Sequence, residues 1–167
     1  GMGQLQSIWW GREAELRETD WLGTVMTAEV MEELHPLWEG LAFHAYQEFP
    51  DLYQPKDLGV YQKLISNIGT WWAELESMPR TLIHNDFNPR NLGFRRTENN
   101  EPLLCAYDWE LATLHVPQRD LVELLCFVLP RDFDYELVQK YSELHRVGLE
   151  AATGESIDSK TWTRGFS

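Results

Sequence analysis

Basic residues are scarce in this chain of 167 residues: 14 Lys plus Arg stand against 27 Asp plus Glu, for a formal charge of −13. Such a deficit excludes the usual nucleic-acid binder, which needs a basic patch to displace counterions from phosphates. The acid excess keeps the chain soluble and suits a cationic partner. Cysteine is scarce too. Cys105 and Cys126 lie in apolar contexts, LLCAY and LLCFV, with no metal-ligand spacing. Two buried thiols in a reducing compartment are expected, hence a cytoplasmic setting. No apolar run approaches the roughly 18 residues of a membrane span, and the N-terminus lacks signal-peptide architecture. Gly1 before Met2 reads as a remnant of tag cleavage. There is no internal repeat, no low-complexity tract and no G-x-G-x-x-G. The four lysines, Lys56, Lys63, Lys140 and Lys160, fall in helical or turn-like contexts and not in an alternating strand.

What remains is ordinary globular composition, 43% hydrophobic and 25% charged, at a length typical of one domain. Residues 1–20 show weak periodicity. From Thr27 to Phe49 apolar residues recur at helical spacing, and Pro36 divides the stretch into two short helices or one kinked one. Leu58, Tyr61, Leu64, Ile65, Ile68, Trp72 and Leu75 predict one further helix, ended by Met78-Pro79. Its neighbours Trp71 and Trp72 point about 100° apart, so both cannot centre on one face. Thr81–Ile83 is a strand candidate. Leu92–Arg95 and Leu103–Tyr107, joined by the turn-rich TENNEP, predict a small hairpin. Helices resume with Leu121, Leu124, Leu125 and Val128, stopping at Pro130. Leu137, Tyr141, Leu144 and Val147 mark another, ending near Gly154, and a last one starts near Ile157. The expected architecture is mainly α with a small β-hairpin, an α+β single domain. Its polar segment, 81–120, lies between helical stretches 20–78 and 120–167.

The chemistry concentrates in that segment. His84-Asn85-Asp86-Phe87-Asn88-Pro89-Arg90-Asn91 is followed, seventeen residues after Asn91, by Asp108-Trp109-Glu110. A strand–loop–strand–turn–strand path lets Asp86, Asn91 and Asp108 converge. Oxygen-only side chains suit Mg²⁺, which takes few protein ligands and keeps water or substrate phosphates for the rest. A carboxylate left off the metal can take a proton from an attacking hydroxyl. One base and two magnesium ligands are what phosphoryl transfer requires.

The pattern H-x-D-x-x-x-x-N with a D-W-E strand end resembles the aminoglycoside phosphotransferase and choline kinase family, and is similar to the protein-kinase catalytic loop. The resemblance covers residues 80–130 well and the flanking helices less specifically. It implies the large C-terminal lobe of a protein-kinase-like fold, Mg²⁺, and transfer of the γ-phosphate of ATP to a hydroxyl of a small molecule. Amino sugars, choline-like amines, other sugars and homoserine-like amino acids all fit as acceptors. It further implies that Asp86 is the catalytic base and that Asn91 and Asp108 are metal ligands. His84 would brace the loop, and Asp120 would tie it down. Asp120 serves equally well as an N-cap for the helix at Leu121. Two positions depart from the family pattern: Asn88 stands where many members carry His, and Arg90 where Gly is frequent. Arg90 either contacts a phosphate or pairs with a nearby acid. Glu110 is open between a surface acid and a second layer of the site.

The small N-terminal lobe that carries the phosphate-covering loop and the strand lysine in such kinases is missing here. The chain therefore reads as one lobe, clipped at both ends, with little catalysis alone. Trp9, Trp10, Trp71 and Trp162 are expected in the core or against the absent lobe. A non-catalytic kinase-like binding module is the alternative. A metal-dependent oxygenase using His84, Asp86 and either His115 or His145 as an iron triad is a weaker one, because His145 sits in a helical pattern rather than in a jelly-roll.

Overall fold

The computed structural model describes residues 1–166 and forms two compact units. Residues 26–77 form one; residues 1–25 and 78–166 form the other.

The 26–77 unit is helical. Thr27 caps α1 (Ala28–Glu33), its side chain accepting the Val30 N–H at 3.3 Å. Pro36 falls in the first turn of α2 (His35–Glu48), so the division expected at that proline is found. The long stripe expected over residues 58–75 is broken. Asn67 leaves helical geometry (φ −117°, ψ 16°), separating α3 (Pro55–Ser66) from α4 (Ile68–Glu76). Ile65 on the first helix and Ile68 and Trp72 on the second are buried, whereas Tyr61 and Leu64 of the expected stripe are exposed. Met31, Ile68 and Trp72 form the unit's core, with Trp71 only partly buried beside it.

The second unit carries the polar segment. Two short helices, α5 (Met2–Ser7) and α6 (Glu13–Arg17), occupy the N-terminal stretch where periodicity is too weak to read. Strand β1 (Thr81–Ile83) pairs antiparallel with β4 (Thr113–His115), and the predicted hairpin forms from β2 (Leu92–Arg96) and β3 (Pro102–Ala106). β1 falls on the expected strand Thr81–Ile83, whereas its partner β4 and their pairing were not foreseen. Helices α7 (Gln118–Val128), α8 (Tyr135–Thr153) and α9 (Ser159–Arg164) complete the unit. Gly154, at φ 74°, ends α8 in the left-handed conformation that glycine adopts without penalty. The chain is thus mainly helical with small antiparallel sheets, an α+β protein, and among the described residues no helix is long and apolar enough to cross a membrane.

Two expectations about burial are corrected. On α8 the apolar stripe faces outward: Leu144 is 58% exposed, while His145 and Leu149 are buried. Close helix packing decides this. A Cβ on Gly3 would lie 2.7 Å from the backbone of Gly148 and Leu149, so α5 meets α8 along its small-residue side. Cys126 is exposed and Cys105 only half-buried. On α7, Leu121 and Leu125 take the inward face, and Cys126, one residue past Leu125, turns away from it. Trp162 is buried, its indole N–H donating to Ser142.

Candidate active site

β1 leads straight into the polar loop, and Ile83, Phe87 and His84 anchor that loop in the core. Burying backbone polar groups there requires acceptors. Helix α7 supplies them from two carboxylates one turn apart. Asp120 Oδ2 accepts the His84 N–H and Oδ1 the Asn85 N–H, both at 3.0 Å. Glu123 Oε2 accepts the Phe87 N–H at 3.1 Å. Asp120 is 2% exposed, and burial pushes its carboxyl above the usual range, opposed by its bonds from His84, Asn85 and Gln6. Its position at the start of α7 is not that of a side-chain cap: the residue before the helix is Pro117, with no capping bond, and the carboxylate is spent on the loop. Asn85 takes φ 60°, a left-handed conformation that Asn tolerates better than most residues. Its side chain is fixed as well: Asn85 Nδ2 donates to the Leu111 carbonyl, and Arg119 Nε donates to Asn85 Oδ1.

Asp86 stands at the tip. Asn88 Nδ2 donates to Asp86 Oδ1 at 2.7 Å, and Asn91 Nδ2 donates to Asp86 Oδ2 at 2.6 Å. Both carboxylate oxygens therefore meet a neutral amide, which fixes the plane of the group. Asn88 is fully buried, and its own Oδ1 accepts the Arg90 N–H at 3.0 Å, opening the single 3₁₀ turn Pro89–Asn91. The exposed Arg90 joins the loop through its backbone N–H and through Nε, which donates to Asn88 Oδ1 at 3.4 Å, and its carbonyl accepts the Tyr107 hydroxyl.

The hairpin returns Asp108 to the same place. The Tyr107 N–H donates to the Asn91 carbonyl at 3.1 Å, and the Tyr107 carbonyl accepts from His84 Nε2 at 2.8 Å. That second bond puts the imidazole proton on Nε2, since a carbonyl only accepts. His84 is packed against Trp109 (4.6 Å between ring centres) and edge-on to Phe87 (5.7 Å). Asp108 follows Tyr107 directly, at φ 67°, and is exposed. Asp86, Asn91 and Asp108, tens of residues apart at the extremes, are brought to one edge by these bonds. Glu110 is exposed beside them.

The donor set suits a hard cation. Asn91 spends its amide N–H on Asp86, which turns its Oδ1 away from that bond, and Asp108 presents a carboxylate toward solvent. Two oxygen ligands, with substrate phosphates and water for the rest, match the habits of Mg²⁺. Among the described residues no three His, Cys, Asp or Glu side chains cluster to hold a metal, so the iron triad is not assembled. His145 Nε2 is instead bonded to Gln6 Oε1 at 2.6 Å.

Sequence reasoning passed over Asn88 as a partner of Asp86, and over Glu123 and Gln6. Glu123 had a signal, the i, i+3 spacing from Asp120 that puts both acids on one helix face. Asn88 had one in its departure from the family's His. Gln6 had none.

Residues 18–154 match the phosphotransferase enzyme family, whereas no curated protein and no solved structure matches the chain. The match spans far more of the chain than the motif region, and the chain belongs to that family of phosphotransferases.

Proposed function

We propose that this family member transfers the γ-phosphate of ATP to a hydroxyl group of a small molecule, with Asp86 as the base. The observation that carries this reading is the double amide clamp on Asp86, at 2.7 and 2.6 Å, in a loop that the hairpin brings next to Asp108. Amides on both oxygens leave Asp86 able to accept one further proton without letting it rotate away. The acceptor oxygen bonds to the γ-phosphorus, the bond from that phosphorus to the β,γ-bridging oxygen breaks, and the hydroxyl proton passes to the Asp86 carboxylate. Asn91 and Asp108 would hold Mg²⁺, which when bound offsets phosphate charge. His84 and Asp120 act on the backbone and keep the loop in register.

The acceptor is a small hydroxyl compound carrying amines, such as an amino sugar or a choline-like amine. The net charge of −13 supports a cationic acceptor, since a negative field concentrates it near the site. These 167 residues contain no glycine-rich phosphate cover, and little turnover is expected from them alone.

The test is a Mg-ATP phosphotransfer screen over amino sugars, choline-like amines and other hydroxyl compounds, run on this chain and on its longest reading frame. Asp86→Ala should lower turnover by about 10²–10⁴-fold, the usual worth of a general base. Asp108→Ala should weaken Mg-ATP binding by calorimetry. Undiminished turnover in the first variant removes Asp86 from the chemistry, and ATP binding without transfer in any reading frame favours the non-catalytic module.

A further inference from the structure

Resting on that reading of the loop, we propose that Gln6, held in place by His145, is a positioning residue that sets the loop carrying Asp86. Gln6 lies on α5 and is 2% exposed, although glutamine ordinarily belongs on the surface. All of its amide atoms are used. Nε2 donates to the Pro117 carbonyl at 3.0 Å and to Asp120 Oδ2 at 3.1 Å, while Oε1 lies 2.6 Å from His145 Nε2.

Two acceptors on Nε2 fix which way the amide faces. The flipped amide would set its oxygen against a carbonyl and a carboxylate. Oε1 therefore accepts, and His145 must carry its proton on Nε2. A continuous chain of donors results. His145 donates to Gln6, Gln6 donates to Asp120, and Asp120 accepts the His84 and Asn85 N–H groups immediately before Asp86. Asp120 Oδ2 thereby serves both Gln6 and His84, so the Gln6 amide helps set the carboxylate plane that the loop amides follow. Asn85 is held at φ 60° by the second of those amides, and a tilt of Asp120 would release it toward ordinary backbone geometry.

This chain of donors is a costly way to fill buried space: it desolvates an amide, an imidazole and a carboxylate, and His145 Nδ1 is buried without a hydrogen-bond partner among the described residues. Trp162 packs edge-on against the His145 ring at 5.0 Å between ring centres. Gln6 also tethers β1, because the Thr81 hydroxyl donates to its carbonyl at 2.7 Å. The strand entering the loop and the acid anchoring it thus meet at one residue.

The test is amide hydrogen exchange by NMR, with the Leu125 amide inside α7 as internal reference. Gln6→Leu should speed exchange at His84 and Asn85 at least tenfold relative to Leu125. Equal acceleration at all three amides, or none, overturns the proposal. Should Gln6→Leu fail to fold, His145 provides the second arm. His145→Leu should loosen the same two amides, whereas His145→Gln, which keeps an N–H donor, should leave them protected. Identical behaviour of those two variants also overturns it. Phosphotransfer by Asp86→Asn is measured separately: full turnover there overturns the catalytic reading of the loop, and uniform exchange overturns Gln6 alone.

Discussion

Replacing Asp120 by Ala tests the anchoring of the loop most directly. Its carboxylate accepts three bonds, from the His84 and Asn85 N–H groups at 3.0 Å and from Gln6 Nε2 at 3.1 Å. Each buried donor left without a partner costs about 1–3 kcal/mol. Three such donors give a gross loss of about 3–9 kcal/mol. Part is offset because the variant no longer desolvates a carboxylate, a cost expressed in the raised Asp120 pKa. Asn85 is only half-buried, so water can satisfy its amide in the variant. The net expectation is about 3–4 kcal/mol, a large share of the roughly 5–15 kcal/mol that holds a domain together. Glu123→Ala provides the scale. It removes a single 3.1 Å bond from a half-buried acid and should cost about 1 kcal/mol. Urea unfolding followed by circular dichroism and by the eight tryptophans measures both variants at a common denaturant concentration. A loss below about 1 kcal/mol for Asp120→Ala, or equal losses in the two variants, would refute the idea that α7 holds the loop mainly through Asp120.

Gly3→Ala should destabilise by about 1–3 kcal/mol, because the new methyl meets the Gly148 and Leu149 backbone at 2.7 Å and no side chain there can give way; an unchanged urea midpoint would mean that α5 does not dock as closely on α8. Acid should destabilise the chain through two of its buried histidines. Burial depresses His145 to about 4; burial first, then the nearby Arg119 and to a lesser degree Arg80, depress His115 to about 4, opposed by a hydrogen bond with the Val116 backbone. The unfolded chain takes up these protons below about pH 6.5 and the folded chain does not, so stability present above pH 6.5 is lost as pH falls toward 4. Each histidine contributes about 3 kcal/mol over that window. His145→Gln should flatten the pH dependence of the urea midpoint between 6.5 and 4, and an unaltered slope would show that His145 is not the group responsible.

The segments legible in the sequence are those whose meaning is local. The β2–β3 hairpin declares itself through TENNEP between two apolar runs, and α8 ends at the glycine where a left-handed residue is required. His84, Asp86, Asn91 and Asp108 are legible because the spacing of a loop and a hairpin is itself local. The face of α8 is not. Hydropathy puts Leu137, Tyr141, Leu144 and Val147 inward, but helix approach is limited by side-chain bulk, and Gly3 against Gly148 draws the other face in. That choice belongs to α5 as much as to α8, and no window along α8 contains it.

The same reasoning explains why the supports of the site are harder to read than the site. Asp86 and Asn91 are five residues apart and bond to each other, so both fall within one short stretch of sequence. Gln6 bonds to Pro117 across 111 residues and to His145 across 139, and nothing near any of the three marks the connection. A buried glutamine and a buried neutral histidine look, in sequence, like a surface residue and a helix-face residue. Only the geometry shows that their donors end on the carboxylate that holds the His84 and Asn85 amides. The loop motif can therefore be recognised from one short stretch, whereas the bonds that hold the Asp86 loop in place are distributed over α5, α7 and α8. Substitutions far outside the motif, at Gln6 or His145, should for that reason loosen the loop while every residue of the motif stays in place.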